Sequence, residues 1–201
     1  EINLRNNESK RNKYAVFIDQ YAPSHPDYSF HGNKPPVTDQ KYYTSMNDFF
    51  NFFEEKTGLN VIIASHPRRN QADNSVWQGR LDIIGKTPEL IKESALVFSH
   101  YSTAISYAVL WRKPIVQLTT DEYINSYRRE QFLAFSEALE LTSINVNRYK
   151  SNDINDTLFG FNEDIYINYQ DQYLSSQYSN STNLWLTLAN TILNYNPIQP
   201  S

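Results

Sequence analysis

The stretch at residues 93–118 constrains the fold of this chain more than any other part of it. An apolar run at residues 95–98 leads into a polar corner at residues 99–103, which is followed by a helix-like segment at 102–111 and a second apolar run at 114–118. This order predicts a strand, a helix and a parallel strand, because parallel neighbours need a crossover connection. The polar corner would then lie at a helix N-terminus, where backbone N–H groups and the helix dipole favour an anion.

The same alternation of apolar runs and helical segments extends along most of the chain. Further strands are predicted at residues 14–18, 59–64, 81–84 and 143–146. Helices are predicted from Thr38 or Asp39 to Gly58, from a cap at Thr87 onward, from the corner at 119–122 through about residue 139, and at 168–177 and 182–193. The segment at 19–39 has four prolines and is too polar and too broken for regular structure.

Strands that alternate with helices predict an α/β, Rossmann-like layered fold with a mostly parallel sheet flanked by helices. A single domain over residues 14–201 is the simplest organisation, with helices in 147–201 packed on the sheet. Residues 1–13 are polar and unpatterned, which predicts a tail or linker. Because the chain opens on Glu1 rather than Met, we expect a further domain upstream of it.

The composition excludes several classes of function. A net charge of −4 provides no basic surplus for nucleic-acid binding, and the absence of cysteine excludes disulfides, thiolate metal sites and cysteine nucleophiles. With only 5 glycines, the chain contains neither a dinucleotide-binding nor a P-loop fingerprint. No apolar run approaches the roughly 20 residues of a membrane helix. These features predict a cytoplasmic protein without a transmembrane segment, for which only peripheral association with a membrane is open.

Polar clusters follow four of the predicted strands, and three of the 4 histidines lie in them. Because ligands of open α/β sheets bind outside the carboxyl ends of the strands, these clusters are the candidate site. They are Asp19 with His25 and Asp27; Ser65 with His66, Pro67 and Arg68; Ser99 with His100, Tyr101, Ser102 and Thr103; and Thr119 with Thr120, Asp121 and Glu122.

Two of these clusters, and one further corner, have the chemistry of a phosphate site. His66 is fixed by the proline after it and Arg68 offers a planar donor, although a strand-ending loop with a solvated arginine explains both equally well. Ser102 and Thr103 are ordinary helix caps when considered alone, but His100 precedes them and a capped helix end also binds anions. At the further corner, Lys86 beside Thr87 could contact a ligand or could simply be solvated.

The first cluster has the chemistry of a catalytic base. Asp19 and Asp27 flank His25, and a carboxylate beside an imidazole suits deprotonation of an acceptor hydroxyl. The alternative is that Asp19 closes the loop while His25 and Asp27 form a turn. A metal site built from His25, Asp27 and His31 lacks the spacing of known ligand motifs, so we predict no metal.

Several short motifs resemble the nucleotide-sugar-binding half of GT-B-type glycosyltransferases from bacterial surface-polysaccharide (capsule and lipopolysaccharide) clusters. They are ASHPR at residues 64–68, GKTPELI at 85–91, SHYSTAI at 99–105 and KPIV at 113–116. The likeness is strongest to groups that use CMP-sugars, the bacterial sialyltransferase, polysialyltransferase and Kdo-transferase types, which share an HP motif and a Ser-Ser/Thr motif. It covers residues 14–121, roughly half of the chain.

The resemblance implies a GT-B C-terminal-type domain in which His66 contacts the donor phosphate or nucleotide, while Ser102 and Thr103 hold the phosphate. A CMP-sugar is the favoured donor and a UDP-sugar the second choice, with no obligatory cofactor and a glycan as acceptor. These families keep their base in an acidic motif of an N-terminal domain, and no such motif occurs here. Either an upstream domain supplies the base, or Asp19 and Asp27 replace it.

Two other functions fit the same residues. One is a nucleotide-sugar epimerase or hydrolase, in which a carboxylate such as Asp19 moves a proton and the donor turns over without an acceptor. The other is a non-catalytic module of a polysaccharide assembly system, which would bind glycan or a partner protein through its aromatic side chains. We expect glycan binding without any nucleotide effect in that case.

Overall fold

A computed structural model describes residues 14–69, 76–174 and 193, and its centre is a six-stranded sheet in which every strand pair is parallel. The strands are β1 (Ala15–Ile18), β2 (Val61–Ser65), β3 (Asp82–Ile84), β4 (Leu96–Ser99), β5 (Ile115–Thr119) and β6 (Thr142–Asn145). The α-helices are α1 (Pro26–Phe30), α2 (Asp39–Thr57), α3 (Thr87–Glu93), α4 (Ile105–Leu110), α5 (Asp121–Ile124), α6 (Arg129–Leu139) and α7 (Glu163–Tyr169). Short 3₁₀ turns cover Ser151–Asp153 and Asp156–Phe159, and a π-helical turn covers Gln170–Leu174.

The strand order is β3-β2-β1-β4-β5-β6, so the predicted Rossmann-like α/β fold is confirmed. This is the doubly wound order, in which the connections reverse direction between β1 and β4. Phe17 of β1 lies opposite Ile63 on one side and Phe98 on the other. The switch point is therefore the gap between the carboxyl ends of β1 and β4, where doubly wound folds bind their ligands.

Both faces of the sheet are covered, which explains why its central strands are continuously apolar. Phe17 and Phe98 pack with the aromatic residues of α2 in one cluster, while Val16 and Val97 pack with residues of α3 and α4 in the other. Successive side chains of a strand point to opposite faces, so a strand between two helical layers has no polar side. Helix α2 contributes one face to this core: Tyr42, Met46, Phe49, Phe50 and Phe53 are all buried.

Helix α2 ends where predicted, at Gly58. This glycine has a φ of 70°, in the left-handed region, and its N–H donates to the carbonyl of Glu54. A β-carbon at this position would contact nothing within 4 Å, so only the backbone conformation disfavours another residue.

We expect Gly58→Ala to lower the free energy of unfolding by about 1 kcal/mol, because a left-handed conformation is unfavourable for alanine. Urea denaturation followed by circular dichroism would measure the change. As a control, Gly160→Ala has no positive φ to disfavour it and should leave the midpoint nearly unchanged. Equal losses in the two variants would contradict the conformational explanation.

Two predictions about the loops were wrong. The segment after β1 contains a short helix, α1, because the Nδ1 atom of His25 accepts the N–H of Asp27 and Pro26 fits the first helical position. The predicted helix from 119–122 through about 139 is two helices, α5 and α6. Ser126 separates them, since its hydroxyl donates to the carbonyl of Tyr123 and accepts the N–H of Arg128.

Helix boundaries also differ at three other places. Helix α4 begins at Ile105 rather than at residue 102, because the Ser102 hydroxyl accepts the N–H of Ala104 and forms a local turn instead of a cap. Thr87 is the first residue of α3, so Lys86 holds the cap position. Helix α7 starts at Glu163, capped by Asn162, and not at 168. The helix predicted at 182–193 lies outside the described residues, apart from Leu193.

The described part of the C-terminal segment packs on both layers. Ile154 and Leu158 join the core cluster of α2, and Tyr166 and Tyr169 join the opposite one. The Tyr166 hydroxyl donates to the carbonyl of Lys113 at 2.7 Å. Among the described residues, no helix combines the length and the apolar character needed to cross a membrane.

Candidate functional site

Four of the predicted site residues meet at the carboxyl edge of the sheet: His25, Asp27, His66 and Arg68. The loops that follow β1 and β2 bring them together, and we call them the histidine–arginine cluster. The rings of His25 and His66 are perpendicular, with centroids 4.6 Å apart. Arg68 donates from Nη1 to Oδ1 of Asp27 at 2.6 Å. Residues separated by about 40 positions in the chain thus form one polar surface patch.

The two histidines of the histidine–arginine cluster are held in the same way. Nδ1 of His25 accepts the backbone N–H of Asp27, and Nδ1 of His66 accepts the backbone N–H of Arg68, both at 3.2 Å. Burial lowers the pKa of both imidazoles, and the nearby positive charge of Arg68 lowers both further. Each ring is therefore neutral at pH 7 with its proton on Nε2, which leaves an N–H donor for an anion.

Asp27 is the accessible carboxylate of the histidine–arginine cluster, with a side chain 48% exposed. Partial desolvation raises its pKa, but the hydrogen bond from Arg68, the positive charge that His25 takes up at acid pH and the charge of Arg68 outweigh this, so the pKa lies below its usual value. In this arrangement Asp27 is ionised and neutralises Arg68. An anion that took over Arg68 would therefore have to compete with Asp27.

Asp19, the other predicted base, is withdrawn from the surface. Its side chain is fully buried, Oδ2 accepts from Nη1 of Arg69 at 2.5 Å, and Oδ1 accepts the N–H of Tyr21 at 2.9 Å. Burial raises its pKa, and the charge and hydrogen bond of Arg69 oppose that rise. Arg69 itself lies within 5.4 Å of the ring centroids of Tyr21, Tyr43 and Trp77. Both carboxylate oxygens of Asp19 are thus engaged inside the protein.

The corner after β4 splits into an inner and an outer part. His100 is fully buried: its Nδ1 donates to the carbonyl of Leu118, and its Nε2 accepts from the Tyr42 hydroxyl, both at 2.7 Å. Burial lowers its pKa to about 4. Ser99 is buried as well, and its hydroxyl accepts the N–H of Ser102. Of this corner, Thr103 is exposed and Ser102 half-buried, so these two are accessible to a ligand.

The remaining predicted pair, Lys86 and Thr87, follows β3 at the same edge. Lys86 is exposed and Thr87 is half-buried. Within residues 14–69 and 76–174, neither side chain has a hydrogen bond or an ion pair with the histidine–arginine cluster. Because β3 is two strands away from the switch point, Lys86 and Thr87 lie to one side of the candidate site.

The structure adds a group that the sequence did not indicate, in which Arg128 lies against the rings of Tyr28 and Tyr127, and a second ring pair, Tyr101 and Tyr123, adjoins Tyr28. Tyr28 packs on His25 with centroids 5.9 Å apart, and Arg128 lies 5.9 Å from the Tyr28 centroid and 5.0 Å from that of Tyr127. Tyr101, whose N–H donates to Gln20 across the switch point, stacks edge-on with Tyr123. In the sequence, the adjacent Tyr127 and Arg128 could have indicated this group. They lie well beyond the end of β5, however, and so outside the polar clusters that directly follow the strands.

A separate pocket of about 250 Å³ lies along the edge strand β6. Its wall consists mainly of hydroxyl and amide side chains, together with Arg148 and Tyr149. None of the predicted site residues lines it. No three His, Asp or Glu side chains in the described ranges are arranged to hold a metal ion.

The fold alone leaves the chemistry open, because doubly wound sheets host many unrelated functions. The distinctive feature of this sheet is the pair of neutral histidines with Arg68 and Asp27 beside the switch point. The chain matches no protein-family model, no curated protein and no solved structure.

Proposed function

We propose that this chain is the nucleotide-sugar-binding domain of a glycosyltransferase of bacterial surface-polysaccharide synthesis. The short motifs favour a CMP-activated donor, with a UDP-activated donor as the alternative. The main support is the histidine–arginine cluster, in which donors from two separate loops converge beside the switch point of the sheet. That is the place where doubly wound sheets bind nucleotides.

In this proposal, His66 and Arg68 stabilise the phosphate that departs with the nucleotide. The Nε2–H of His66 is oriented before the substrate arrives, and such a preorganised donor lowers the barrier where negative charge develops. Asp27 holds the guanidinium of Arg68 beside it until the phosphate takes its place. The hydroxyl of Ser102, across the switch point, adds a further donor. His25 supports the same site from the opposite loop through its contact with His66.

We assign the base to Asp27 rather than to Asp19, because Asp27 is half exposed and Asp19 is sealed in its ion pair. When a donor phosphate binds Arg68, Asp27 loses its partner and its pKa rises toward the ordinary value. Asp27 would then accept a proton from an acceptor hydroxyl more readily with the donor bound than without it.

Titration with CMP, CDP and UDP, followed by NMR or calorimetry, tests nucleotide binding. We expect at least one of them to bind, and His66→Ala and Ser102→Ala each to weaken that binding about tenfold, since a hydrogen bond to a charged group contributes roughly 1.5 to 3 kcal/mol. His31→Ala is the matched control, because His31 is exposed in the same loop as His25.

The proposal would be overturned if none of the three nucleotides binds. It would also be overturned if both His66→Ala and Ser102→Ala bind nucleotide as tightly as the wild type. Turnover of a donor sugar without any acceptor would point instead to the epimerase or hydrolase. Binding of glycan with no nucleotide effect would point to the non-catalytic module.

A further inference from the structure

Arg128 borders the histidine–arginine cluster through one shared ring. Tyr28 is in edge contact with His25 and lies under the guanidinium of Arg128. His25, in turn, is within 3.6 Å of Asp27, which holds Arg68. Two arginines from different parts of the chain are therefore each one contact away from His25. Arg68 is linked to it through Asp27, and Arg128 is linked to it through Tyr28.

The two arginines differ in what neutralises them. Arg68 has Asp27 as its partner. Arg128 has no carboxylate within 4.0 Å among residues 14–69 and 76–174, and its buried Nε atom has no hydrogen-bond acceptor there. Three other partly or fully buried arginines, Arg69, Arg80 and Arg112, do have a carboxylate partner.

An unpaired guanidinium that is partly removed from water is unfavourable unless something compensates its charge. The rings of Tyr28 and Tyr127 supply part of this compensation through cation–π contacts. They provide no acceptor for the buried Nε–H. That Nε–H is closed to a ligand, as is the equally unpartnered Nε–H of Arg69. The rest of a guanidinium that lacks a carboxylate partner suits phosphate or carboxylate, which it can bind through two parallel hydrogen bonds.

We infer that Arg128 is a second anion-binding residue, and that the ligand bears two phosphate groups, one at His66 and Arg68 and one at Arg128. This inference rests on the proposed function and concerns which class of sugar donor, CMP-activated or UDP-activated, the site binds. A nucleoside diphosphate has two phosphates, whereas the nucleotide of a CMP-activated sugar has one. Of the two donor classes, Arg128 thus favours the UDP-activated class over the CMP-activated class that the motifs favour.

The test is calorimetric titration of the full chain with UMP, UDP, CMP and CDP, in the wild type and three variants. We expect the wild type to bind each diphosphate at least about tenfold more tightly than the corresponding monophosphate. Arg128→Met should remove this preference and leave the monophosphate affinity within about twofold. Arg68→Met should weaken both kinds of nucleotide. Arg148→Met, which removes an exposed arginine already paired with Asp121, should change neither.

The outcomes separate the inference from the proposed function. If no nucleotide binds the wild type, both are overturned. If nucleotides bind but the wild type has no diphosphate preference, or Arg128→Met weakens both kinds alike, only the inference is overturned. Should Arg128→Met fail to fold in a thermal melt, Arg128→Lys decides instead, because it keeps the charge without the planar fork. We expect it to reduce the preference at least about threefold, and an unchanged preference would overturn the inference.

Discussion

We expect Asp19→Ala to lower the free energy of unfolding by about 3 to 5 kcal/mol, because it removes the carboxylate that contacts the buried charge of Arg69 directly. The Arg69 side chain is only 3% exposed, and three aromatic rings surround its guanidinium. Its other carboxylate neighbour, Asp82, is 4.0 Å away from Nε and also pairs with Ser65. Denaturation by guanidinium chloride, followed by circular dichroism, would measure the loss.

The chain contains a matched control for this prediction. Asp27 and Arg68 form the same kind of pair between the same two loops, but their side chains are 48% and 58% exposed. Asp27→Ala should leave the denaturation midpoint nearly unchanged, since solvent screens an exposed pair. Equal losses in Asp19→Ala and Asp27→Ala would contradict the role that we assign to burial.

A double variant distinguishes two causes of the expected loss of stability. One is the lost attraction between Asp19 and Arg69, and the other is the cost of burying the Arg69 guanidinium without Asp19. In Asp19→Ala/Arg69→Met, the thioether chain fills the aromatic cage and no buried guanidinium remains there, while Asp82 keeps its hydrogen bond from Ser65. We expect the double variant to recover a large part of the stability that Asp19→Ala loses, because replacing a buried ion pair by apolar groups is often neutral. A double variant as unstable as the single one would show that the pair itself, and not the stranded guanidinium, determines the loss.

The Asp19–Arg69 pair also links the two loops of the candidate site. Asp19 accepts the N–H of Tyr21, which has a φ of 52°, a conformation that is uncommon for a residue with a side chain. Arg69 directly follows Arg68 of the histidine–arginine cluster. The buried pair therefore fixes the start of the first loop against the end of the second, and so positions His25 beside His66.

Much of the fold could be predicted from local patterns. The runs that became β1, β2, β4 and β5 are short, apolar and bounded by polar corners, and a parallel sheet necessarily places those corners at one edge. The meeting of His25 with His66 follows from that geometry. The sequence therefore located the edge of the sheet at which the candidate site lies.

What could not be predicted was which polar side chains turn inward. Arg68 and Arg69 are adjacent and chemically identical, yet one is exposed and the other is sealed against Asp19. His100 follows a strand just as His66 does, but its acceptor is the hydroxyl of Tyr42, 58 residues away. Local composition contains no information about such partners. The same is true of Arg128, whose environment is made by Tyr28 from a distant loop.

The buried imidazole of His100 predicts a strong dependence of stability on pH. Burial lowers its pKa from 6.5 to about 4 in the folded protein. Between these values the unfolded chain binds a proton that the folded one does not, so stability falls as pH falls. The contribution is complete above pH 6.5, is lost progressively down to about pH 4 and is constant below that. Its size is roughly 3 kcal/mol, from about 1.4 kcal/mol for each unit of pKa.

His25 and His66 also have lowered pKa values and act in the same direction, so a variant is needed to isolate His100. His100→Asn/Tyr42→Phe keeps an amide donor for the Leu118 carbonyl and removes the hydroxyl that would otherwise lose its acceptor. Urea denaturation at several pH values between about 4.5 and 7.5 gives the slope for each protein. We expect the double variant to lose the greater part of the slope, because its two remaining cluster histidines are both partly exposed. Parallel slopes in the two proteins would mean that His100 takes up a proton in the folded state, and the neutral core position assigned to it would be wrong.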